Sequence, residues 1–113
     1  MSDLTDDEAD AVGGWLDRHE FEKVSSRGGD SSPFGDRQDV WERDGTLVRL
    51  TRDRGQWWYD VSRHGANVWL DVDSVAGALG SKSTAPVDRV ADVTGSIDDR
   101  VFGALSASIR HAP

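Results

Sequence analysis

The sequence predicts an α+β domain, an antiparallel meander of three to four strands packed on one face by amphipathic N- and C-terminal helices. Three observations lead there. Apolar residues at helical spacing, each set preceded by a capping signature, mark Leu4 to His19 and the stretch after Ser96. Between them, Asp44-Gly45 separates two strand-like runs, the strongest short hairpin signal, because a type I′ turn needs positive φ at both central residues. With 113 residues the chain has room for one domain, and five Trp supply much of the area of a modest core.

The first helix is expected from Leu4 to His19, capped by Thr5 with Glu8 as the reciprocal partner and acidic residues in the first turn. Ala9, Val12 and Leu16 fall on one side with Trp15 beside them; Gly13 and Gly14 weaken the helix or allow close packing on a sheet. Phe21 to Ser26 reads as a short strand. Residues 25–38, rich in Ser, Gly, Asp and Pro, read as a flexible loop.

A tight turn at Asp44-Gly45 opposes Arg43 to Thr46 and Trp41 to Val48. For the next turn, a three-residue loop would split the apolar residues between two faces. A loop of two or four residues opposes Arg52 to Trp57, Leu50 to Tyr59 and Val48 to Val61, and gathers Trp41, Val48, Leu50, Trp57, Tyr59 and Val61 on one side. The other side then carries Val40, Leu47, Arg49, Thr51, Trp58 and Asp60, with Arg49 opposite Asp60 and Thr51 opposite Trp58. Val68 to Leu70 makes a further short strand after the turn at His64 to Asn67.

Asp71 or Asp73 caps a helix with Val72, Val75 and Leu79 in its stripe, ended by Gly80. Pro86 starts a short helix carrying Val87 and Val90, expected to stop by Gly95. Ser96 is expected to open the last helix, with Ile97, Val101, Phe102, Leu105 and Ile109 along one side and Arg110 and His111 at its end.

Composition narrows the function classes. The formal net charge of −8 opposes binding to nucleic acid or an anionic bilayer and favours a cationic partner. No apolar run approaches the roughly 18 residues that cross a membrane, and the first twenty residues are acidic, so a cytoplasmic protein with no membrane association is expected. The chain has no Cys, hence no disulfide or thiolate chemistry.

No motif assigns a reaction. His19, His64 and His111 have no ligand-spaced partners, and the carboxylate clusters Asp6-Asp7-Glu8 and Asp98-Asp99 are explained by helix capping. Asp71-Val72-Asp73 opens like a calcium loop but lacks the Gly and Glu that should follow. Gly28-Gly29 precedes an Asp and no Lys-Ser/Thr, so no phosphate-cradling loop is present. No cofactor is expected, and no residue is assigned a catalytic role. Arg49, Arg52, Arg54 and Arg63 collect in the sheet of an otherwise acidic chain; Arg52 and Arg54 read as hairpin-end charges that guard against edge pairing.

The run FGDRQDVWERDGTLVRLTRDRGQWWYDV, Phe34 to Val61, centred on RDRGQW, resembles small actinobacterial proteins of the kind that includes immunity proteins of polymorphic toxin systems. It covers about a quarter of the chain. The resemblance implies a compact cytosolic protein that binds a toxin domain and blocks it without chemistry of its own. The resemblance carries over no interface residue. The net charge, the missing catalytic motifs and the sheet face of Trp58 lead to the expectation of a non-enzymatic protein-binding module, with Trp58, Arg49, Asp60, Thr51 and Arg54, read from the strand register and the arginine-aromatic pattern, at the interface. Two alternatives stand: a small-ligand protein or enzyme with a pocket between sheet and helices lined by Trp41, Trp57 and Tyr59, and a homodimer formed through the sheet face. Whether a helix covers Trp58 decides how much of the interface exists.

Overall fold

A computed structural model of the chain describes residues 4–28 and 36–109. In chain order it forms α1 (Asp6–Arg18), β1 (Glu22–Gly28), β2 (Arg37–Arg43), β3 (Thr46–Asp53), β4 (Gln56–Arg63), β5 (Leu70–Asp71), α2 (Val72–Ala78), α3 (Pro86–Ser96) and α4 (Asp99–Ile109). The strands make one antiparallel sheet in the order β1-β2-β3-β4-β5. The α+β meander is as expected, but it has five strands instead of three to four.

The fifth strand is β1, which reads as a short strand over Phe21 to Ser26 and which joins the meander by reaching into the segment that reads as a loop. Residues 25–28 continue β1, and Arg37 and Gln38 already belong to β2, so the two strands pair from Glu22↔Glu42 to Gly28↔Arg37. Ladder hydrogen bonds with β2 outweigh the weak strand propensity of Ser and Gly. Ser26 Oγ also donates to Asp39 across the pair at 2.6 Å. A bulge between Lys23 and Ser25 leaves Val24 half exposed on this edge strand. The rest of the expected loop, residues 29–35, lies outside the described residues, as do Arg110 and His111.

Register follows the turns. Arg43 pairs with Thr46 and Trp41 with Val48; beyond the second turn, Arg52 pairs with Trp57, Leu50 with Tyr59 and Val48 with Val61. Asp53↔Gln56 leaves a two-residue loop, Arg54-Gly55, whose φ values of 54° and 83° are both positive, like the 51° and 83° of Asp44-Gly45. Both turns thus carry the twist that a hairpin requires.

One hydrophobic cluster joins the sheet to all four helices: Trp41, Val48, Leu50, Tyr59, Val61 and Leu70 meet Val12 and Leu16 of α1, Val75 of α2, Val90 and Val93 of α3 and Phe102 of α4. Thr5 and Glu8 form the capping box that starts α1. Its C-cap, His19, stacks on Trp15 at 4.1 Å between ring centroids. Asp71, of the two candidates, caps α2, and Gly80 at φ 78° ends it with a bond from Ser81 N to Ala76 O.

The boundary of the last two helices differs from expectation. Gly95 does not stop α3, which runs through Ser96, and Asp98, not Ser96, accepts from Val101 N to start α4. Burial of Val93 and of the C-cap residue Ile97 holds α3 in place past the glycine.

Gly13 lies within α1 over the Trp41 ring. A Cβ there would stand 3.6 Å from the nearest ring carbon, an ordinary contact distance. Gly13→Ala is therefore expected to raise stability by about 1 kcal/mol, the helix-propensity difference. A urea unfolding midpoint that moves upward checks it.

Candidate functional site

Alternation along the strands puts a second set of side chains on the face away from the helices. Across β2, β3 and β4 the registered rows are Glu42, Leu47 and Ser62; then Val40, Arg49 and Asp60, continued by Asp71 of β5; then Gln38, Thr51 and Trp58. Trp69, two residues before Asp71, points to the same side. Its ring lies 4.2 Å from the guanidinium carbon of Arg49.

Arg49 is the hub of this surface. Its Nη2 and Nε donate to Asp60 Oδ2 at 2.8 and 3.3 Å while the guanidinium plane rests over Trp69. A guanidinium stacked on an indole and bound to a carboxylate has few remaining rotamers, so the group is held ready instead of being ordered on contact. Asp60 is buried enough that desolvation raises its carboxyl above the usual aspartate range; Arg49 opposes that shift and Asp71 adds to it.

Trp58, Trp69, Leu47, Arg49, Thr51 and Asp60 are all partly buried. The helices bury their apolar residues in the cluster on the other face, and Leu47, Trp58 and Trp69 are not among the residues packed against that cluster. Trp58, Arg49, Asp60 and Thr51 are thus brought together on the helix-free side. Arg54 stands apart at the tip of the β3–β4 turn, where its backbone N donates to Asp36. Arg63 belongs to the scaffold: it reaches Asp99 of α4 at 2.8 Å and Thr46 at 2.7 Å.

Trp69 was not singled out by the sequence reading. The strand expected over Val68 to Leu70 is Leu70–Asp71 in the structure, with Trp69 just ahead of it, yet alternation over the expected strand already sets Trp69 on the side away from core-facing Leu70.

The aromatic residues of the core face end on carboxylates carried by helices. Trp41 Nε1 donates to Asp17 at 2.9 Å, Trp57 Nε1 to Asp6 at 2.7 Å, and the Tyr59 hydroxyl to Asp73, which also accepts from Arg89 at 2.8 Å. Trp41 and Tyr59 are buried. An open cleft of about 430 Å³ lies at the end of the sheet beside Arg27, Arg37 and Arg52, and another of about 300 Å³ beside Glu22, Val24 and Glu42. Neither is bordered by Trp41, Trp57 or Tyr59. Among the described residues, no group of three or more His, Asp or Glu side chains is arranged to hold a metal ion, and no helix is long and apolar enough to cross a membrane.

Burial, and then the neighbouring Asp73, push the Tyr59 hydroxyl far above the ordinary tyrosine value. Above pH about 10 the unfolded chain releases this proton while the folded chain keeps it, so stability falls as pH rises through that value. Tyr59 is the only tyrosine. Phenolate absorbance is expected to appear only together with the loss of native circular dichroism; ionisation in the folded chain near pH 10 would contradict the burial described.

Comparison with protein-family models, with curated proteins and with solved structures gives no match.

Proposed function

We propose that this chain is a non-enzymatic protein-binding module, an immunity-like protein that neutralises a cationic toxin domain by laying its open sheet face on it. One observation carries the reading: two partly exposed indoles, Trp58 and Trp69, share a helix-free sheet face with a guanidinium held between Trp69 and Asp60. Trp and Arg dominate the energetics of protein interfaces, and rigid aromatic anchors lose little conformational entropy on binding. The acidic groups of the same face, Asp60, Asp71 and Glu42, and the net charge of −8 give a basic partner electrostatic steering and complementary contacts.

The resemblance of Phe34 to Val61 to small actinobacterial proteins, some of them similar to immunity proteins of polymorphic toxin systems, supports the same reading and suggests the toxin class of partner. Blocking by occlusion needs no catalytic group, only a preformed surface. The direct experiment is titration of a basic partner domain against the wild-type chain and the Trp58→Ala and Arg49→Ala variants. Retention of full affinity by both variants would overturn the proposal. Sedimentation at several concentrations separates it from homodimerisation through the same face, for which mass would rise with concentration in the absence of any partner.

A further inference from the structure

The sheet ends at β1, which has a neighbouring strand on one side only. The backbone N–H and C=O groups on its other side have no strand partner among the described residues, and such a row is a template for another strand. The edge is 7 residues long, contains no proline, and carries Val24, the one large apolar residue that is exposed among those described. Lys23, a residue of the type that guards edges, instead lies over the Trp41 ring, 5.0 Å from its centroid, on the helix side of the sheet.

The bulge fixes the side that each residue of β1 takes. Glu22, Ser25 and Arg27 pair with Glu42, Val40 and Gln38 on the open face, while Lys23, Ser26 and Gly28 pair with Trp41, Asp39 and Arg37 on the helix side. Val24 borders the same cleft as Glu22 and Glu42, so it too stands on the open face, and the bulge leaves it there beside Ser25. In an antiparallel pair, residues directly opposite each other share a face. Of the registers that engage most of β1 against a second β1, one alone meets this condition throughout: Glu22 opposite Arg27, Lys23 opposite Ser26 and Val24 opposite Ser25, each repeated by a two-fold axis. In that register the two bulges stand against each other.

The same register joins opposite charges. Glu22 and Arg27 are both exposed, and neither is in an ion pair among the described residues. Glu22 instead faces Glu42 across β1 and β2, a like-charge pair, with Glu20 and Asp44 bordering the same cleft of about 300 Å³. Arg27 of a second copy, set opposite Glu22, brings a cation to this cleft, and the two-fold axis repeats the contact at the other end.

We propose that two copies of this chain pair antiparallel through β1, joining their meanders into one sheet with the helices of both copies on the same side. The Trp58 face stays open in each copy, so the pairing does not rest on the proposed partner-binding role.

The test is sedimentation equilibrium of the full chain from about 10 μM to about 1 mM in about 0.15 M salt, where the repulsion between two net charges of −8 is screened beyond about 8 Å. The mass is expected to climb from that of the monomer towards twice that value, and Trp58→Ala is expected to leave the curve unchanged. Glu22→Arg and Arg27→Glu each set like charges against each other at both ends of the pair, and each alone is expected to raise the dissociation constant about tenfold. Mixed in equal amounts the two variants are complementary again, so a mixed dimer is expected at close to wild-type strength. A wild-type mass that stays monomeric up to about 1 mM overturns the proposal. Dimerisation that neither reversal weakens, or a mixture no stronger than its components, also overturns it. Dimerisation lost in Trp58→Ala and kept in both reversals replaces it with pairing through the open face.

Discussion

Replacing Tyr59 by alanine is expected to lower stability by about 3–5 kcal/mol, the largest effect of any single truncation proposed for this chain. Tyr59 is fully buried at the centre of the sheet between Leu50 and the helices. Truncation opens a cavity that the surrounding valines cannot fill without moving a strand, and it removes the donor to Asp73. Tyr59→Phe separates the two contributions. It keeps the ring and removes only the hydroxyl, while Asp73 retains Arg89, so a loss of about 1–2 kcal/mol is expected. Urea unfolding of both variants reads the difference. Because small domains have stabilities of about 5–15 kcal/mol, Tyr59→Ala is expected to sit near its unfolding threshold at 37 °C. A cost below about 1 kcal/mol for the alanine variant would contradict a filled core.

The second large effect is expected in binding instead of folding. Trp58→Ala and Trp69→Ala each remove an indole that no helix covers, so each is expected to cost about 1 kcal/mol or less in stability. At a protein interface the same truncations are expected to cost about 2 kcal/mol or more, a loss of affinity of at least about thirtyfold. Arg49→Ala is expected to weaken binding similarly, because it frees Trp69 to rotate and leaves partly buried Asp60 without its ion-pair partner. Equilibrium unfolding and partner titration on the same samples check the split. A variant that loses stability and affinity together would place Trp58 in the scaffold.

The strands were legible in the sequence where local chemistry leaves one choice. Asp44-Gly45 sets the first turn, and at the second the alternation of Val48, Leu50, Tyr59 and Val61 admits one register for a loop of two or four residues, which the structure closes as the two residues Arg54-Gly55. That register, read from the sequence alone, places Trp57 and Trp58 on opposite faces. β1 was not legible over its full length because its stability comes from a partner strand across residues 29–35, while its own Ser, Arg and Gly content favours a loop. The end of α3 failed for the same reason, with burial of Val93 outweighing the local preference of Gly95.

The candidate site divides along similar lines. The pairs Arg49↔Asp60 and Thr51↔Trp58 follow from register alone. Trp69 over Arg49 depends on the two-residue pairing of β4 with β5, too short a strand to announce its register. Carboxylates were the least legible. Asp6 lies in a first helical turn and Asp73 was a candidate cap, yet Asp6 also receives the Trp57 indole and Asp73 receives Tyr59, contacts set by how helix and sheet dock.

That the open sheet face is an interface for a basic protein is tested most directly by parallel capture. Wild-type chain and a Trp58→Ala, Trp69→Ala double variant of matched circular dichroism are immobilised, exposed to the same cell extract, and the retained protein is then purified and titrated. A basic protein held by the wild type, released by salt and bound at least about thirtyfold more weakly by the double variant is the predicted result. Equal retention by both chains, or retention of nothing by the wild type, would contradict it.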